Sequence, residues 1–365
     1  MKNFRNIAVI LVLAALAGCA KTEYAPTLKK EITFTVGSYV PSSTKAASLI
    51  DSQDNITSFN TKAYLHAEGI ADTQNFFGAA GETITWNSST SEWAPSHVYY
   101  WPKSSVSYIN FVSWYDNAGA PTAISETALE WSSRTVTGTD NIMFADEAWR
   151  YNQNVATYQY NNVVAGVPTL FHHALSRVKV NLKSTNAYNP EYPTETYEVT
   201  LQEASLEGVF NTGTMKLVNN DPSSTGTNAW RSNASPTLLW TTVSGSNATP
   251  LEFVNTDTTI GTTNTAILAQ RSFIPQNLGN GVVLHLTYTV TTKSNGVTTS
   301  EESDIPATIQ LNTIKNTSDL EITQWLPNRV YTYNIAINPI GQVILLNPVV
   351  ESDWTDSASL STTVE

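Results

Sequence analysis

Few residues of this chain are placed to carry chemistry, and the one with the clearest context is Cys19, its only cysteine. It ends the run Leu16-Ala17-Gly18-Cys19, behind a basic start (Lys2, Arg5) and an apolar stretch from Ile7 to Leu16. A basic region, a short apolar region and then small residues make a secretory signal. The apolar stretch is about half the roughly 20 residues a membrane-spanning helix needs. Leu-Ala-Gly-Cys has the form of a bacterial lipobox, in which the thiol is acylated (palmitate being one such acyl group) and the cysteine becomes the mature N-terminus. The second candidate is Lys45, which with Ala46 follows Pro41-Ser-Ser-Thr. A basic side chain among small polar residues is open to a trypsin-like protease cutting between Lys45 and Ala46. The other reading of Lys45 is a solvated lysine in a linker.

Other chemistry is poorly served. Beyond Cys19 the chain has no thiol nucleophile, no Gly-x-Ser-x-Gly elbow, no Gly-x-x-x-x-Gly-Lys loop and no Gly-x-Gly-x-x-Gly turn. Of His66, His97, His172, His173 and His285, only His172 and His173 adjoin. Neighbours on a strand point to opposite faces, so that pair does not suit one metal ion. Asp140, Asp146 and Glu147 lack the Asp-x-Asp-x-Asp-Gly spacing of a calcium loop and read as a solvated acidic loop. No catalytic residue, metal or cofactor is expected. Trp86, Trp93, Trp101, Trp114, Trp131 and Trp149 crowd the first half, either as core or as a platform for sugar rings. Core is the better reading, because a chain without disulfides needs bulky aromatics inside.

The elements that must position these residues are strands. The chain has 365 residues, enough for two domains, with 41% hydrophobic and 14% charged residues, so it can fold around a core. Thr, Ser and Asn fill the polar positions beside 16 Tyr and 10 Trp, a composition suited to pleated, half-buried surfaces. Net charge is −12; residues 1–45 hold six basic and two acidic side chains, so the remainder carries −16. Such a surface repels phosphate backbones, which excludes nucleic acid as a partner, and leaves lipid on Cys19 as the route to a membrane.

Period-two alternation marks the strands. Ile32, Phe34 and Val36 share one face of Glu31–Val36, and Ile109 and Phe111 one face of Val106–Tyr115. Val178, Val180 and Leu182 share another, and so do Tyr331, Tyr333, Ile335 and Ile337, before a turn at 338–341 and a return strand over Gln342–Leu346. In the tail, Ala358, Leu360 and Val364 share a face of Asp356–Glu365, as a strand or as a frayed end. The expected division is a signal peptide over 1–19, an N-terminal propeptide with its strand over 20–45, and two all-β sandwich domains over 46–167 and 168–365. The break between the sandwiches falls at the Gly/Pro stretch 161–168.

Several pieces together resemble the fimbrillin family, the pilin-like lipoproteins of type V pili. They are the lipobox ending at Cys19, the Glu31–Val36 strand followed by Ser-Thr-Lys45-Ala46, and Tyr99-Tyr-Trp-Pro102 before an aromatic strand. Further along come Phe171-His-His-Ala-Leu-Ser-Arg-Val178, Trp325-Leu-Pro-Asn-Arg-Val-Tyr-Thr-Tyr333 and Ile344-Leu-Leu-Asn-Pro-Val-Val-Glu-Ser-Asp-Trp354. The resemblance implies two β-sandwich domains of transthyretin-like, Greek-key type. It implies export as an outer-membrane lipoprotein, a cut after a basic residue near the N-terminus, and loss of the first strand. A strand from another fimbrial subunit then fills the groove. On this chain the cut falls after Lys45, where the family also commonly has arginine, and the displaced strand is Ile32, Phe34 and Val36. The donor strand is the tail carrying Ala358, Leu360 and Val364. The expected role is a structural or accessory subunit of a surface fimbria supporting adhesion. The alternatives are a lipid-anchored glycan-binding lipoprotein and a non-polymerising fimbrial anchor or tip protein.

Overall fold

A computed structural model describes residues 30–38, 48–49, 56–153, 166–185, 191–218, 240–242, 251–254 and 256–353. The all-β expectation holds: among the described residues the only helical pieces are short 3-10 turns at Leu278–Asn280, Leu311–Thr313 and Ile340–Gln342. The first half supplies β1 (Phe34–Ser38), β2 (Ser48–Leu49), β3 (Ser58–His66), β4 (Gln74–Asn75), β5 (Glu82–Asn87) and β6 (Glu92–Pro95). There follow β7 (Tyr108–Asp116), β8 (Ala123–Ile124), β9 (Ala128–Thr135), β10 (Ile142–Ala145), β11 (Ala148–Tyr151) and β12 (Val167–His173). Next are β13 (Ser176–Ser184), β14 (Glu195–Glu207), β15 (Thr212–Val218), β16 (Trp240–Thr242), β17 (Leu251–Val254), β18 (Thr258–Ile260) and β19 (Thr265–Phe273). The last are β20 (Gln276–Asn277), β21 (Val283–Ser294), β22 (Val297–Gln310), β23 (Gln324–Trp325), β24 (Arg329–Asn338), β25 (Val343–Leu346) and β26 (Val350–Asp353).

The sandwich expected of the first half is corrected. Its strands run β7-β10-β12-β1-β6-β5-β3, and β3 pairs back onto β7, so seven strands close into a barrel. Closure leaves the ring strands no free edge. What fills the barrel is aromatic: Phe34, Phe59, Phe77, Trp93, Trp101, Phe111 and Phe171 are all buried in one cluster. β7 is buried on both faces. Ile109 and Phe111 point into the barrel, whereas Val112 and Trp114 join a second cluster outside it.

The second half consists of two facing sheets, β19-β13-β24-β25 with β26 also on β24, and β17-β14-β21-β22 with β18 on β14. Their alternating side chains meet in one core: Val178, Val180 and Leu182 from β13, Tyr331, Tyr333, Ile335 and Ile337 from β24, and Leu284, Leu286, Tyr288 and Val290 from β21. The hairpin read at the end of the sequence is present, with Ile335 opposite Leu346 and Asn338 opposite Val343.

The two halves share a third sheet, β16-β15-β9-β8, in which β15 from the second half pairs antiparallel with β9 from the first. It covers Trp114, Trp131, Ile142, Phe144, Met215, Leu217 and Trp240. Trp240 Nε1 donates to the Ala174 carbonyl at 2.7 Å, next to the point where β12 of the barrel passes into β13 of the sandwich. Arg134 Nη2 reaches Asp116 Oδ1 at 2.9 Å and Asp140 Oδ1 at 2.7 Å, and both carboxylates are fully buried. The solvated acidic loop expected at Asp140, Asp146 and Glu147 is therefore not formed. Asp140 is held by Arg134 and Thr137, Asp146 pairs with His172, and Glu147 is buried.

Candidate functional site

The strongest local arrangement is the seat of β1. Ile32, Phe34 and Val36 are 2%, 4% and 2% exposed, so the face read from the sequence is the buried one. Strand pairing begins at Phe34, three residues into the expected element, but Glu31 already bridges Tyr100 in antiparallel fashion. The Ile32 amide donates to the Tyr99 carbonyl at 2.8 Å and the Trp101 amide to the Lys30 carbonyl at 3.1 Å. Past this point Phe34 pairs with Trp93 of β6, and Gly37 and Ser38 pair with Leu49 and Ser48 of β2. The other edge of β1 runs parallel to β12, from Phe34 opposite Val167 to Ser38 opposite Phe171.

The pocket under the strand is specific in shape. The Phe34 ring meets Phe59 and Phe111 edge-on, each at 5.7 Å between centroids. Such pairs add roughly 0.5–1.5 kcal/mol beyond area burial. Behind them Phe171 packs on Phe59 at 5.2 Å and Trp93 on Phe59 at 5.6 Å.

Gly166 lets β1 and β12 approach. Its φ is +130°, and a Cβ there would stand 3.0 Å from both the Phe34 carbonyl carbon and Thr35 Oγ1. The buried Tyr151 hydroxyl donates to the Gly166 carbonyl at 2.9 Å, which fixes that backbone from behind. In the sequence the Gly166-Val-Pro168 stretch reads as a break between domains. Here it is the pinch that holds the first strand.

A polar clamp holds the segment over which Ile32 lies. Glu82 of β5 accepts from the Tyr99 hydroxyl at 2.7 Å and from Ser96 Oγ at 2.8 Å, and stands 2.9 Å from His97 Nδ1. Burial raises the Glu82 pKa, but the bonds from Tyr99, Ser96 and His97 outweigh it and hold the carboxyl below its usual range. The Tyr99 phenol is pushed up to about 12 by burial and by the same bond. Sequence reading did not find Glu82, Tyr99, Tyr151 or Gly166 as parts of this seat. The only signal was Tyr99 within the aromatic Tyr99–Pro102 stretch.

Of the other site residues read from the sequence, Cys19, Lys45, Ala46, Ala358, Leu360 and Val364 lie outside the described residues. His172 Nε2 is 2.8 Å from Asp146 Oδ1 and its ring stacks on Phe144, whereas His173 Nδ1 is 2.9 Å from Asn141 Oδ1. The two imidazoles have separate partners, as strand alternation requires. Among the described residues no group of three or more His, Cys, Asp or Glu is arranged to hold a metal. Trp93, Trp101, Trp114, Trp131 and Trp149 are buried, and Trp86 is half-buried against Trp93. They are core rather than a sugar platform.

What the arrangement can do is bind an extended chain. β1 presents one row of apolar side chains and two hydrogen-bonding edges to a groove made wholly by other elements. Removing it would expose Phe59, Trp93, Phe111 and Phe171 and orphan backbone groups on β12, β2 and 99–101. Unpaired buried polar groups and exposed aromatic surface are both costly, so an emptied groove favours refilling.

A family model described as fimbrillin-like matches residues 44–354. A solved fimbrial protein from Bacteroides vulgatus ATCC 8482 aligns at 17% identity and a TM-score of 0.48, over 89% of this chain and 99% of its own. A fimbrilin (fimA) from Porphyromonas gingivalis W83 aligns at 12% identity and a TM-score of 0.37, over 89% of this chain and 98% of its own. No curated protein matches the chain.

Proposed function

We propose that this chain, which belongs to the fimbrillin-like family, is an exported subunit that joins its neighbours by strand exchange. Family membership makes it a structural component of a cell-surface fimbrium, associated with adhesion and with other fimbrial subunits, and not an enzyme. The finer steps are our reading. Cys19 is acylated and tethers the chain to the outer membrane. A trypsin-like protease then cuts between Lys45 and Ala46, and residues 20–45 leave with β1. The emptied groove takes a strand from a neighbouring subunit by β-strand addition. The tail with Ala358, Leu360 and Val364 is donated onward.

The observation that carries this reading is the construction of β1. It is buried like a core strand, and the chain runs on from it to the rest of the fold through residues 39–47, which contain Lys45. The division between the two units belongs at Ala174–Leu175, between β12 and β13. The two facing sheets of the second unit support the transthyretin-like sandwich there.

The reading is tested by sequencing the mature N-terminus by mass spectrometry, in the wild type and in Lys45→Ala. A wild-type chain beginning at Ala46, and a Lys45→Ala chain that keeps an acylated Cys19 and forms no polymer ladder on unboiled gels, are expected. Ladders formed by the uncut variant would overturn it.

A further inference from the structure

The groove that holds β1 also says what kind of strand can replace it. Its three pockets are unequal. The Ile32 and Val36 pockets take aliphatic side chains, and the central one takes a ring set edge-on between Phe59 and Phe111. The matching pattern is therefore large aliphatic, any, aromatic, any, large aliphatic.

No part of residues 334–365 has that pattern. Between residues 334 and 365 the sole aromatic residue is Trp354. With Trp354 in the central pocket, Ser352 and Asp356 fall two residues to either side. Whichever way the strand runs, one aliphatic pocket receives the Asp356 carboxylate and the other a serine. An unpaired carboxylate cannot be buried there cheaply. In the register that puts Ala358, Leu360 and Thr362 into the three pockets, the central pocket lacks a ring, the first is underfilled and the third takes a hydroxyl.

We infer that the β1 groove selects a strand with an aromatic side chain flanked two residues either side by large aliphatic ones, and that residues 334–365 of a second copy are not that strand. The inference rests on the strand-exchange reading above and sharpens it. Residues 334–365 serve a groove unlike this one.

The test uses the full chain with a site-specific protease sequence placed within residues 39–47. After the cut, labelled peptides are added, and exchange against β1 is followed by fluorescence anisotropy and native mass spectrometry. A copy of residues 30–38 should enter. The same peptide with Phe34→Ala should bind about a hundredfold more weakly, and a peptide of residues 350–365 at least as weakly. That tail peptide carrying Ala358→Ile, Leu360→Phe and Thr362→Val should bind at least tenfold better than the unaltered tail. An unaltered tail that binds as tightly as the 30–38 copy, or an altered tail that gains nothing, overturns the inference and leaves strand exchange standing. If not even the 30–38 copy enters the cut chain, the strand-exchange reading itself fails.

Discussion

The first and last core strands of this protein, β1 and β24, are built alike and held differently. Each lies parallel to one of two strands that are consecutive in the chain. β1 lies beside β12, and β24 beside β13 from Arg177 opposite Val330 to Ser184 opposite Ile337. Each sends alternate apolar side chains into a core. Yet β24 is covered along its other edge by β25 and β26, and its two buried phenols are hydrogen-bonded. Trp325 Nε1 donates to the Tyr333 hydroxyl at 2.9 Å and the Leu326 amide to the Tyr331 hydroxyl at 2.9 Å. Burial drives the Tyr333 phenol far up and the Tyr331 phenol up to about 12. The second edge of β1 is patched from Trp93, β2 and residues 99–101, and the row continuing through it into the core, Ile32, Phe34 and Val36, is purely apolar. Hydrogen-bonded phenols tie β24 to its neighbours inside the core, whereas the inward row of β1 is held there by apolar packing.

The contrast can be broken from either end. The largest effect is expected at β24. Tyr333→Ala should cost about 4 kcal/mol or more, from the cavity and from the orphaned indole N–H. Urea unfolding should show the loss equally in the full chain and in a chain beginning at Ala46. Phe34→Ala should cost about 3 kcal/mol in the full chain, whereas the chain beginning at Ala46, which lacks β1 altogether, should still unfold cooperatively. Failure of that shorter chain to fold would mean that β1 is as integral as β24. Gly166→Ala should cost about 1–3 kcal/mol, since a Cβ at this φ collides with β1. Hydrogen exchange should show faster opening of β1 amides, with those of β24 unchanged.

The smallest effect concerns acid. The folded-state pKa of Glu82 is lowered, so its contribution is complete above its unfolded value of about 4.3 and is lost as pH falls through the lower folded value. Amides of residues 30–32 and 96–101 should exchange faster below about pH 4. Glu82→Gln should remove that pH dependence, while β24 amides show none of it.

Much of this was legible in local pattern. A strict period of two placed Ile32, Phe34 and Val36 on the buried face, and the same rule put Tyr331, Tyr333, Ile335 and Ile337 in the core with a hairpin after them. The tryptophans of the first half read as core because a disulfide-free interior needs bulky aromatics. The barrel was not legible. Its closure depends on β12 lying parallel to β1, a pairing between strands more than a hundred residues apart that leaves no mark on either strand's own alternation. The β15–β9 pairing that ties the halves together leaves no local mark either. Asp140 looked solvated because nothing local shows that Arg134 will fold over it.

Sequence alone therefore determined the export signal pattern, the strand-rich class, the apolar face of the first strand and the absence of enzyme motifs, all of which reside in near neighbours along the chain. Only the tertiary structure decided that this strand closes a barrel, that Gly166 lets β12 approach it, and that its central pocket is shaped for a ring. Those properties come from residues far apart in sequence whose meeting is set by sheet pairing, and a pocket's shape exists only once its walls have met.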